Sequence, residues 1–231
     1  MTRLFAILLA CTVTTAHAET AAEVFMRQSQ QPQPGTCIEL PIDLSNGPGL
    51  LQQPTAQGVE LRYRMAWNNI AEGWSWQPNA DPTQEDYYRY KYLPLQSQNE
   101  TRGEYRAEDK IGEPETMQVQ WRYDYFLAFD NLYAFYPRSD DDESGFAIQL
   151  PAVSNPVGVA ARLCLREPVV SESTTFWKAI HARPTDFTLK KRYLIGELQA
   201  VRFIDLASGR ELGQLRPQTA AATARLPAQP E

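Results

Sequence analysis

Few residues in this chain have the types and spacing to do chemistry. From Asn68 to Asp86 the indoles of Trp74 and Trp76 sit among Asn68, Asn69, Gln77 and Asn79, with carboxylates at Glu72, Asp81, Glu85 and Asp86. Flat aromatic faces beside amides and acids suit stacking on sugar rings or gripping an apolar anchor of another protein. Two acids about 5 to 9.5 Å apart also suit glycoside hydrolysis, for which Glu72, Asp81, Glu85 and Asp86 supply the candidates. Spacing along the chain does not set that separation, and acids are common in loops. The expectation is therefore binding, with Trp74, Trp76, Asn68, Asn69, Glu85 and Asp86 as ligand or partner contacts.

Other reaction classes lack their parts. Of the two histidines, His17 falls in the N-terminal leader, and His181 has neither a GxSxG nor a second histidine near it. Nucleophilic catalysis needs a base beside the nucleophile, so His181 reads as a surface or helix-end residue. HExxH and paired CxxC motifs are absent, and no metal or cofactor is expected. The acidic run Asp140, Asp141, Asp142 and Glu143 lacks alternating ligand spacing and reads as a solvated hairpin tip.

The first eighteen residues, MTRLFAILLACTVTTAHA, order a basic residue, an apolar run and an Ala-His-Ala end. That pattern predicts a secretory signal peptide over residues 1–18. An alternative reading takes Leu8 to Cys11 as a lipoprotein box, which would anchor the chain by lipid at Cys11. Export to the periplasm is the expectation in either case. Past the leader, Cys37 and Cys164 are the two remaining cysteines, an even pair in an exported chain, and predict one disulfide. In a eukaryotic secretory pathway, Asn99-Glu100-Thr101 would accept a glycan. With 22 basic residues against 28 acidic ones and no basic block, the chain lacks the electrostatic footprint for nucleic acid or anionic lipid.

The elements that must position these groups read as strands. Residues 19–35 predict a short helix followed by a proline and glutamine linker, and residues 216–231 a flexible tail. Between them, residues 36–215 predict one all-β domain, an antiparallel sandwich or barrel-like fold with at most one or two short helices. Period-2 alternation is clear over Thr36 to Leu44, Val59 to Trp67, Tyr87 to Leu95, Thr116 to Phe126, Phe146 to Leu150 and Val157 to Leu165. Gln96 to Arg102 reads as a turn before a solvated edge strand at 104–110. Asp130-Asn131 reads as a hairpin turn with a return strand over 132–136, and residues 200–205 and 210–216 as a second hairpin. Ser173 predicts a helix cap, with Phe176 and Ile180 on one helical face. Tyr63, Trp67, Tyr88, Tyr90 and Tyr92 hold strand spacing and are expected to pack; Trp74 and Trp76 lie where the alternation fails.

These features predict an exported, non-catalytic β-domain that binds a cell-envelope protein through the aromatic loop. A glycan-binding module and a carboxylate hydrolase are the alternatives. An outer-membrane barrel is the weaker one, because acidic and proline-containing breaks interrupt its alternation.

Overall fold

The computed structural model describes residues 19–44, 50–64, 90–108, 114–131, 134–135, 145–150, 152–180 and 182–217. Among the described residues one helix, α1 (Ala21–Gln30), precedes nine strands: β1 (Cys37–Pro41), β2 (Leu50–Thr55), β3 (Gly58–Arg64), β4 (Lys91–Glu108), β5 (Pro114–Phe129), β6 (Gly145–Leu150), β7 (Val157–Trp177), β8 (Thr185–Asp205) and β9 (Glu211–Leu215). The larger sheet runs β1-β7-β8-β5-β4, with β9 also on β8, and curls into a half-barrel; β2-β3-β6 form a second sheet.

The fold is mostly β, but one interface departs from the antiparallel expectation. β5 and β8 are parallel from Gln118 with Thr185 to Phe129 with Gly196. Alternation assigns each residue to a face and is silent on the direction of the neighbouring strand. The sheet is therefore mixed.

Helix α1 forms where Thr20 caps it. The Glu23 N–H donates to Thr20 Oγ1, and the Thr20 N–H returns a bond to the Glu23 carboxylate at 2.7 Å. Ala21, Val24, Phe25 and Gln28 share the buried stripe. This face joins a core of Leu93, Leu127, Phe129, Leu163, Leu194, Leu198, Val201 and Phe203, contributed by β4, β5, β7 and β8. The helix is thus part of the packed domain. On the opposite side of the sheet, Tyr90, Tyr92, Phe126, Ala128, Tyr193 and Ile195 make a second cluster, so Tyr90 and Tyr92 pack as their spacing predicts. Burial there pushes the Tyr193 hydroxyl well above its ordinary range.

Three local expectations need correction. The helix expected after Ser173 is the end of β7, paired with β8 from Val170 with Leu194 to Trp177 with Phe187. Thr174 and Thr175 favour extended backbone, and the four-residue spacing of Phe176 and Ile180 marks no buried face, since both are exposed, at 55% and 59%. The predicted turn at 96–102 is the middle of one strand, β4, which absorbs irregular residues as register shifts at 94–96 and 101–103. The return strand after Asn131 is replaced at Ala134 and Phe135 by a helical turn, with the Ala134 N–H donating to Asn131 O. The Asn131 side chain takes the place of a strand, donating to Leu198 O at 2.8 Å and accepting from Leu198 N–H at 3.0 Å.

Other expectations hold. Cys37 is bonded to Cys164, and the two lie directly opposite each other in the β1–β7 ladder. Residues 206–210 turn β8 into β9, with Asp205 accepting from Asn155 Nδ2 and from the Ala207 and Ser208 N–H groups. Gly213 on β9 leaves room for Leu150 and Ile148 of β6; a Cβ there would lie 2.7 and 2.8 Å from them. That contact seats the small sheet against the large one.

Candidate functional site

The half of the sheet beyond α1 carries a partly accessible surface of aromatic and charged side chains. Cross-strand register sets three rows on the face that α1 occupies. Gln96, Tyr125, Arg192 and Glu172 form the first; Gln98, Tyr123, Lys190 and Thr174 the second; Glu100, Trp121, Thr188 and Phe176 the third. Alternation along β5 continues its core row of Phe129, Leu127 and Tyr125 into Tyr123 and Trp121. Phe25 of α1 meets Tyr125 edge-on at 5.9 Å. Past that point Tyr123 and Trp121 are half-buried and Phe176 is exposed.

Cations interleave with these rings. The Arg192 guanidinium lies 4.5 Å from the Tyr123 ring centre and 5.1 Å from Phe25, and donates to Tyr125 OH at 2.9 Å. Arg102 lies 3.9 Å over Trp121 and donates to Tyr123 OH, while Lys190 Nζ is 5.4 Å from the same indole. Two carboxylates balance them. Glu172 accepts from Lys190 and from Arg192, each at 2.6 Å, and Glu100 accepts from Arg102 at 3.0 Å and Tyr123 OH at 3.1 Å.

The carboxyl groups are held as anions. Partial burial pushes Glu172 up, but the bonds from Lys190 and Arg192 outweigh it and hold the group below its ordinary value. Arg102 lowers Glu100 chiefly through its hydrogen bond, and burial followed by the bond to Glu100 raises the Tyr123 hydroxyl. At the far end Asp186 accepts from the Ala179 N–H at 2.7 Å, Lys178 Nζ at 2.9 Å and Tyr105 OH at 3.0 Å. The Ala179 bond, then that of Lys178, lowers it. A glycosidase acid must instead be held protonated; Glu100, Glu172, Asp186 and Asp205 are all shifted the other way. The arrangement is suited to contact and charge pairing.

Glu172 makes a pH prediction. A depressed folded value means its pairing stabilises fully above the ordinary value of 4.5 and fades as pH falls through the lowered one. Glu172→Gln should cost about 1 kcal/mol at neutral pH, because its ion pairs are only partly shielded. The same variant should flatten the loss of stability between roughly pH 5 and 3. Urea midpoints at both ends of that window give the comparison.

The sequence-predicted contacts Asn68, Asn69, Glu72, Trp74, Trp76, Asp81, Glu85 and Asp86 lie outside the described residues, as do His181, the 140–143 acidic run, the leader and residues 218–231. Trp121 and Tyr123 were legible only as members of a buried row. Their exposure depends on where α1 ends, which alternation does not show. Lys190 and Arg192 carry a sequence signal of their own, two cations spaced by two in a stretch whose strand character was ambiguous. A disulfide of this kind persists in oxidising compartments. No helix among the described residues is long and apolar enough to cross a membrane. Comparison of the chain with family models, with curated proteins and with solved structures finds no match.

Proposed function

We propose that this is an exported, periplasmic, non-catalytic β-domain that binds a partner protein of the cell envelope. The observation that supports it is the cluster of half-buried Trp121, Tyr123, Lys190 and Arg192 with exposed Arg102, flanked by exposed Phe176. Tryptophan, tyrosine and arginine are the side chains that dominate protein–protein affinity, because each combines large apolar area with a directed polar contact. On this reading the loop with Trp74 and Trp76 adds a second aromatic contact.

The test places a photoreactive side chain at exposed Thr174, in the row of Tyr123 and Lys190, and irradiates the full chain in its native compartment. A dominant protein adduct is expected. Trp121→Ala with Phe176→Ala should lower its yield at least about tenfold, as removal of two anchors worth more than 1 kcal/mol each requires. Thermal unfolding checks that the fold survives, and the Trp74→Ala, Trp76→Ala pair tests the loop separately. An undiminished adduct in both pairs sinks the reading. Turnover of a glycoside that disappears with Glu72, Glu85 or Asp86 would favour the hydrolase instead.

A further inference from the structure

The larger sheet has edges of unequal character. β1 is five residues long and ends at Pro41. β4 breaks its ladder at two register shifts, and its outer half carries Glu100, Arg102, Glu104, Arg106 and Glu108. Short length, proline, bulges and charges all discourage further pairing. β7 is different. β1 pairs with it only from Ala160 to Cys164, with Leu165 reaching Gly35 and Thr36, and among the described residues no strand pairs with its outer side from Val170 to Trp177. That stretch, VSESTTFW, has no proline, lysine, arginine or register shift, and is rich in β-favouring residues.

The direction of its backbone groups follows from the ladder. Leu165 donates its N–H to Thr36 O and accepts from the Gly35 N–H, so it turns away from its β8 partner Gly196. Leu198 gives both groups to Asn131, on the same side of β8. Alternation then turns Leu194, Arg192, Lys190 and Thr188 toward β5, and Tyr193, Lys191, Leu189 and Phe187 toward β7. Their partners Ser171, Ser173, Thr175 and Trp177 are hydrogen-bonded to β8. Glu172, Thr174 and Phe176 therefore send N–H and C=O outward, and all three are exposed.

We infer that an extended segment of the partner polypeptide adds to the sheet along β7, bonding to the backbone of Glu172, Thr174 and Phe176. The inference rests on the partner-binding reading and specifies its mode. A peptide backbone supplies donors and acceptors alternating at the strand repeat, which is what three outward residues two apart require. The only charge on the edge, Glu172, is already neutralised by Lys190 and Arg192, so the edge does not repel an incoming strand. A second copy is the poorer complement. In the two-fold antiparallel register that engages all three residues of both chains, Phe176 falls opposite Glu172 twice, an apolar ring against a carboxylate. The matching strand is heterologous, with an apolar residue opposite Phe176 and a hydroxyl or amide donor opposite Glu172.

A random dodecapeptide display library panned on the full chain supplies the probe. Selected peptides should slow hydrogen exchange of the Glu172, Thr174 and Phe176 amides at least about tenfold, the protection a formed hydrogen bond gives. Thr174→Pro should weaken binding by a similar factor with the fold intact, because the lost N–H belongs to no ladder; Ser173→Pro should unfold β7. N-methylation of alternate peptide residues should abolish binding on the unaltered protein. Peptides that bind without protecting those amides, or that tolerate Thr174→Pro and N-methylation, overturn strand addition while leaving partner binding to its own test at Trp121. A library without binders overturns it too. A dimer abolished by Thr174→Pro assigns the edge to a second copy and also overturns it.

Discussion

Replacing Cys37 and Cys164 together by serine lowers the stability of the domain by about 4 to 5 kcal/mol, the entropy that a loop of this length restores to the unfolded chain. The two residues are 127 positions apart, so the bond closes more than half of the sequence into one ring. It also fastens β1, an edge strand of five residues, whose Leu40 is buried and whose continuation places Ile42 in the core. Without the bond β1 rests on its ladder to β7, on those two side chains and Ile38, and on the Glu39–Arg202 ion pair. The double variant is the informative one, because a single substitution leaves a free thiol. Urea titration should show an earlier midpoint for the double serine chain, and reductant should move the parent toward it while leaving the variant unchanged. Cys37 is exposed and Cys164 half-buried, so the reductant has access. Coincident midpoints would show that β1 is held without the disulfide.

Gly196→Ala carries the second large effect, a loss of about 3 kcal/mol, at the upper end of ordinary overpacking. Gly196 lies inside β8, opposite Phe129 of β5 and Leu165 of β7. A Cβ there would stand 2.4 Å from the carbonyl oxygen of Cys164 and 2.9 Å from Leu163 Cδ2. The oxygen belongs to backbone held by the disulfide and the ladder, and Leu163 is fully buried, so neither neighbour gives way easily. Gly103→Ala makes the comparison, since a Cβ there meets nothing within 4 Å and its cost comes from the positive φ of 137° alone. The clash and the cross-link share Cys164. Gly196→Ala should therefore cost less in the double serine chain, a coupling that a double-mutant cycle measures. Equal losses in both backgrounds would mean that the carbonyl does not need the disulfide to stay in place.

The half-open β5 row shows how far sequence reaches. Met117, Val119, Trp121, Tyr123 and Tyr125 alternate with polar residues, and the structure keeps Trp121, Tyr123 and Tyr125 on one face. Alternation reads identically for a roofed residue and an open one, because it reports only the side of the pleat. Tyr125 is covered because Phe25, a hundred residues away in sequence, lies against it. At the end of β7, the Ser173 cap and the apolar pair Phe176 and Ile180, four residues apart, fit a helix. Pairing with β8 outweighed it, a tertiary interaction that local propensity does not contain.

By itself the sequence determined which residues alternate, that a short helix begins within residues 19–35, and that Cys37 and Cys164 are the cysteines left to pair beyond the leader. These depend on neighbours along the chain or on counting, so they need no coordinates. Only the tertiary structure decided that β5 and β8 run parallel, that the sheet curls into a half-barrel, and that α1 stops short of Trp121. The outer side of β7 from Val170 to Trp177, unpaired by any strand among the described residues, belongs with these. A strand is an edge because no other segment reaches it, and that is a property of the assembled sheet.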